Sequence, residues 1–220
     1  MTFPHIPPFG PFVPRALVAL SLALTAVAAQ AGAQREERLS DSVQSALHKA
    51  VADTPITRTY FESESQERVW LGEMSNRLKK KFPDEGQRLD FLKTVHYETT
   101  RAGLDPEMVL GLIQVESNFR KYALSTASAR GFMQIMPFWV KQIGSKDHNL
   151  FNLRTNLRYG CIILRHYLDI EKGDYFRALG RYNGSLGQPA YPTLVVNAWK
   201  NSWTIKVRRA DSEGDRKRPS

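Results

Sequence analysis

The stretch 105–120, DPEMVLGLIQVESNFR, constrains this chain more than any other. Asp105 is a preferred N-cap, Pro106 suits the first helical position and Glu107 favours the first turn, so a helix begins here on sequence alone. On a wheel of about 100° per residue with Met108 at 0°, residues Val109, Leu112, Ile113, Val115 and Phe119 share one apolar arc, and Glu116 falls at about 80°, inside it. An ionised carboxylate buried there is costly unless paired, and its pKa rises in response. Two readings stay open at this point. Glu116 is either a core acid paired with an arginine such as Arg101 or Arg130, or an acid kept protonated for proton donation.

The other periodic segments are helical as well. Ser40 caps a short helix reaching about residue 51, and 56–66 reads as a linker. Trp70, Leu71, Met74 and Leu78 recur at helical spacing ahead of Lys79-Lys80-Lys81, a solvated helix end. Pro83-Asp84 opens a helix that carries Leu89, Phe91, Leu92 and Val95 and closes near Gly103. Further helices are expected at 132–143, with Pro137 in the first turn, and at 156–171, 175–182 and 195–203, with turn chemistry at 183–187. Neither an alternating strand pattern nor an internal repeat stands out. The fold class is mainly α.

Charge and the N-terminus narrow the function. Lys and Arg number 31 against 22 Asp and Glu, a formal charge of +9, which suits an anionic partner. Arg15 precedes ALVALSLALTAVAAQAGA, an apolar run of about 14 residues followed by small ones, the layout of a secretory signal peptide over 1–33 with cleavage before Gln34. A membrane anchor is the alternative, although the run is shorter than the ~20 residues that a spanning helix needs. Export together with basic charge points to the cell envelope and away from nucleic acid. The expected location is periplasmic, or membrane-anchored if the leader is not cleaved. Cys161 is the only cysteine, so no intramolecular disulfide forms, and no Cys/His spacing suggests a metal; no metal or cofactor is expected.

Downstream of Glu116, YALSTASARGFMQIMP collects small residues and then presents Gln134 between Met133 and Met136. Gly131 before a bulky run implies a turn or a close backbone approach. Gln134 carries both a donor and an acceptor, suited to sugar hydroxyl and acetamido groups, while the methionines are as readily core filler. RYNGS places Tyr182 and Asn183 at a turn. They read either as an exposed aromatic and amide lining a saccharide groove, or as a packed tyrosine and a turn-forming asparagine. No second carboxylate pairs with Glu116 by any local rule.

VESNF, GFMQIMP and RYN, in this order, resemble the catalytic domain of the soluble lytic murein transglycosylases, whose fold is goose-type lysozyme-like. That family reads E-S, then G-L-M-Q-x-M-P, then A-Y-N. Here Gln134 lies 18 residues and Tyr182 66 residues after Glu116, which suits the family. The likeness covers about 103–203, and NLRYGCIILRHYL resembles the helix between the second and third motifs. The chain departs from the pattern at Phe132 for Leu, Ser128 where Gly is common, Arg181 for Ala and Ser185 for Gly, and Arg181 is expected to alter the groove's charge. The resemblance implies Glu116 as the sole catalytic acid and then base, with Ser117 supporting the helix. It implies Ser125, Gln134, Met136, Tyr182 and Asn183 as substrate-binding residues. The expected organisation is a signal peptide at 1–33, a helical N-terminal extension and linker at 34–84 that lies outside the resemblance, a lysozyme-like catalytic domain at 85–204 and a polar disordered tail at 205–220. The implied activity is cleavage of the MurNAc–GlcNAc bond in peptidoglycan glycan strands with formation of a 1,6-anhydro product. Other cell-wall enzymes are further candidate partners. A hydrolytic muramidase on the same fold and a non-catalytic peptidoglycan-binding module are the alternatives.

Overall fold

Helix starts are set by side chains that accept from their own first turn. In the computed structural model, which describes residues 34–52, 61 and 63–205, Ser40 caps α1 (Asp41–Val51) and Ser63 caps α2 (Glu64–Leu78). Asp84 caps α3 (Glu85–Ala102), and Asp105 caps α4 (Pro106–Ser117) by accepting from Glu107 and Met108 at 2.7 and 3.2 Å, with Pro106 at the first position. Then follow α5 (Pro137–Ile143), α6 (Leu153–Ile170), α7 (Tyr175–Tyr182) and α8 (Ala190–Ala198), the last continuing into a π-helical turn, Trp199–Trp203. Among the described residues there is no strand, only isolated bridges joining Leu124, Arg130 and Ile135. The mainly α, lysozyme-like architecture expected from the sequence is the one observed.

Four boundaries differ from expectation, the simplest being α6, which starts at Leu153 rather than 156 because Asn152 caps it. The expected helix at 132–143 begins only at Pro137, because the backbone through Arg130–Ile135 is taken up by bridges and by Gln134 at φ 50°. The final helix starts at Ala190 rather than 195, since Tyr191 and Val195 both face the core. Residues 64–66 belong to α2, not to a linker; positions 53–60 and 62 lie outside the described residues, as do the proposed signal peptide at 1–33 and 206–220 of the tail.

α4 lies at the centre, against α3, α8 and the π-helical turn. Nine of its residues are buried, Glu116 among them. Gly111 makes the closest of these approaches possible: a Cβ there would sit 2.8 Å from the Trp199 backbone nitrogen. The π-helical turn is pinned to the same helix by Trp203, whose indole N–H donates to Gln114 Oε1 at 2.7 Å. At its C-terminal end α4 stops through two successive left-handed residues, Asn118 at φ 50° and Phe119 at φ 64°. A bulky residue is rarely found there, and the strain is of order 1–3 kcal/mol. It is held by packing, because Phe119 sits 5.2 Å from Trp203 and 6.0 Å from Phe91 between ring centroids.

A buried ion cluster joins the outer helices to this frame. Glu98 of α3, 2% exposed, accepts from Arg158 of α6 at 3.1 Å, from Arg101 at 3.3 Å and from Arg154 at 3.4 Å. Arg101 also donates to the carbonyls of Ala50 and Ala52 at 2.9 Å each, so α1 is tied to the same cluster. Removing the acid leaves buried guanidinium charge unmatched. Glu98→Gln is expected to destabilise the protein by about 3–5 kcal/mol. Urea unfolding would measure it, and a loss below about 1 kcal/mol would mean that the cluster behaves as a surface pair.

Candidate functional site

The helical phase of α4 points Glu116 inward, and the structure buries it to 4% exposure. Neither Arg101 nor Arg130 pairs with it: Arg101 is committed to Glu98 and α1, and Arg130 lies over the Phe151 ring. The partner is Tyr191 of α8, whose hydroxyl donates to Glu116 Oε1. The second oxygen, Oε2, is buried with no hydrogen-bond partner. Burial pushes the Glu116 carboxyl up to about 8, and the Tyr191 hydrogen bond works against that rise. Glu116 is therefore protonated at neutral pH. The same burial, together with Glu116's charge, raises the Tyr191 hydroxyl well above its ordinary range, so Tyr191 stays a donor.

Beside it the loop 122–136 is fastened from within. Gln134 is 2% exposed, and its Nε2 donates to the carbonyls of Ala123 and Gly131 at 3.1 and 2.9 Å. Ser125 Oγ accepts from the Ala129 N–H at 3.0 Å, and its own N–H donates to the Ala129 carbonyl at 3.1 Å. Ser128 lies at φ 70°, which explains why a residue without a Cβ is common at its place in the resembling motif. From α6, Asn156 accepts from the Met133 N–H at 2.8 Å and donates to the carbonyls of Arg130 and Leu150 at 2.8 and 2.7 Å. Gly131, at φ 76°, is required by this bracket, since a Cβ would lie 2.4 Å from Asn156 Nδ2.

Tyr182 ends α7 fully buried, not as an exposed aromatic, and its hydroxyl donates to the Met133 carbonyl at 2.8 Å. The backbone of Met133 is thus held at both its N–H, by Asn156, and its carbonyl, by Tyr182. Asn183, 8% exposed, donates from Nδ2 to Ser185 Oγ at 3.0 Å, while its Oδ1 is buried without a partner. Met136 is half-buried at the N-cap of α5, and its backbone N–H lies 3.4 Å from Gln34 Oε1. Ser117 donates to the Ile113 carbonyl at 3.2 Å, an interaction internal to the helix. Arg181 is held by Glu171, which also takes Arg177.

Sequence reasoning missed Tyr191 and Asn156. Asn156 had a signal, a polar residue opening an otherwise apolar helix face. Tyr191 had none, because a contact across 75 positions leaves no local pattern.

Residues 93–191 match the protein family described as Transglycosylase SLT domain. This segment is a member of that family. Over 100 residues the chain is 33% identical to a "Transglycosylase" of Enterobacteria phage PRD1, covering 46% of this chain and 37% of that protein. It is 28% identical over 113 residues to "Membrane-bound lytic murein transglycosylase C" of Haemophilus influenzae, covering 44% and 32%. A protein of the same description from Histophilus somni is 27% identical over 135 residues, covering 54% and 36%. The chain spans about a third of the length of these curated relatives. The SLT segment runs from within α3 to Tyr191, so it contains Glu116, the fastened loop and the tyrosine that touches the acid.

Glu116 makes stability depend on pH in a defined direction. Its pKa in the folded chain, about 8, lies above the ordinary 4.5, so folding favours the protonated form. The contribution is whole below the ordinary value and is lost as pH rises through the folded value, at up to about 1.4 kcal/mol per pH unit. Glu116→Gln removes the titration. The variant is expected to gain on the parent chain steadily from pH 5 to pH 8 in thermal unfolding. A constant difference between the two would mean that Glu116 is ionised in the folded protein.

Proposed function

We propose that this protein is a peptidoglycan lytic transglycosylase that cleaves the β-1,4 bond between MurNAc and GlcNAc and leaves a 1,6-anhydroMurNAc end. One observation carries the reading: a protonated, buried glutamic acid with a free oxygen, with no second carboxylate acting on it among the described residues, in a segment of the SLT family. Hydrolysis by two carboxylates needs a partner acid across the bond. Here the substrate must supply the second group, and an N-acetylated sugar has one in its acetamide.

Glu116 donates its proton to the bridging oxygen as the bond from that oxygen to C1 of MurNAc breaks. The neighbouring acetamido oxygen stabilises C1. The Glu116 carboxylate, now accepting from Tyr191, takes the proton of the C6 hydroxyl, and O6 closes on C1. Proton and electron pairs balance without water. Acid–base help of this kind is typically worth about 10²–10⁴-fold. Gln134, Ser125 and Tyr182 act by fixing the loop wall, with Met136 and Asn183 left to face the glycan. The basic surface suits a glycan bearing peptide carboxylates, and an exported, envelope-located chain would meet that substrate. No helix among the described residues is long and apolar enough to cross a membrane.

Incubated with purified murein sacculi, the protein is expected to release anhydro-ended muropeptides, lighter by one water than hydrolysed ones in a mass spectrum. Reducing ends would transfer the assignment to a muramidase, and absence of soluble product to a binding module. Glu116→Gln is expected to abolish release while the fold persists. Tyr191→Phe removes the bond that lowers the Glu116 pKa, so the alkaline limb of the pH–rate profile is expected to move upward from about pH 8. A downward or absent shift would remove Tyr191 from the acid's control.

A further inference from the structure

The segment before α1 enters the site from outside the SLT match. Residues 34–40 run without regular structure along α5, and the side chains from Arg35 to Arg38 are exposed. Gln142 of α5 donates to the Glu37 carbonyl at 3.1 Å, and Gln44 of α1 donates to the Gln142 carbonyl at 2.6 Å. Against this exposed course, Gln34 is only 5% exposed. Its Oε1 accepts from the Trp139 indole N–H at 3.0 Å and lies 3.4 Å from the Met136 N–H.

A strap that needed only to reach α1 would leave this polar end in water. Two N–H donors converging on one carbonyl oxygen recognise an amide. Tyr182, raised by burial and by the charge of Glu116, is lowered by a hydrogen bond from the Gln34 side chain, so both groups act on one hydroxyl. Met136 is the residue at which the fastened loop meets α5.

We propose that Gln34 is a removable latch, its carboxamide resting on the Met136 and Trp139 donors in place of an amide group of the N-acetylated glycan, so that the strap 34–40 closes the site until substrate displaces it. The inference rests on the transglycosylase reading. Latch and glycan then compete for the same donors, and the apparent affinity is the intrinsic one reduced by the fraction of molecules with the latch open.

The test uses the full-length chain carrying Glu116→Gln, so that nothing is turned over, and titrates tetra-N-acetylchitotetraose by calorimetry. With a latch closed nine-tenths of the time, adding Gln34→Ala is expected to tighten binding about tenfold. Gln142→Ala, which frees the strap at Glu37 without touching either donor, is expected to tighten it by a smaller factor and keeps the test alive should the first variant fold poorly. Binding that is unchanged in both variants overturns the latch and leaves the glycan site standing. Weaker binding also overturns it, making Gln34 a support for α5. No binding by any of the three proteins overturns the site reading and the latch together.

Discussion

A carboxyl group with one hydrogen bond for two buried oxygens is the constraint on which the site depends. In water both oxygens of Glu116 would be solvated; inside the core only Oε1 has a donor, the Tyr191 hydroxyl. A second donor or a guanidinium would favour the anion and bring the pKa back towards 4.5. A carboxyl with no donor at all would be hard to ionise even transiently. The phenol sits between these limits. It is neutral, itself raised too far to lose its proton, and it supports the carboxylate only while that carboxylate exists.

This balance requires rigid surroundings, since a water molecule reaching Oε2 would solvate the charge and undo the shift. Rigidity comes from three directions. α4 is pressed onto the π-helical turn through Gly111 and Gln114. The loop is sewn by Gln134 and bracketed by Asn156, and Tyr182 holds the Met133 carbonyl. Several residues that look like ligand contacts by type are therefore occupied with backbone groups. In the proposed function their influence on a glycan would pass through the shape of the loop they hold.

The sequence makes the helices readable because their signals are local: caps at Ser40, Asp84 and Asp105, a proline at 106, and apolar spacing thereafter. It also exposes Glu116, because one residue on the wrong side of a wheel is visible without a structure. Elsewhere it is ambiguous for a physical reason. GFMQIMP has helical composition, yet Gln134 is left-handed because its amide closes the loop on Ala123 and Gly131, a tertiary requirement that overrides propensity. Tyr182 stands beside turn residues and so reads equally as exposed or packed; burial is decided by α6 and α7 packing together. Arg101, an apparent partner for Glu116 by charge, is claimed by Glu98 on its own helix.

That last competition bears on function. Among the described residues two glutamates are buried, on adjacent helices, and the arginines are distributed unequally between them. Glu98 receives Arg101, Arg154 and Arg158 and fastens α1, α3 and α6 as a charged group. Glu116 receives a tyrosine and holds a proton. The two acids have the same chemistry, so the difference lies in which positive charges can reach them. Arg101 is three residues from Glu98, within one turn, and its Nη2 is taken by two carbonyls at the end of α1. α1 therefore contributes to the site without touching it, because it helps to keep Arg101 on Glu98 while Glu116 pairs with a tyrosine.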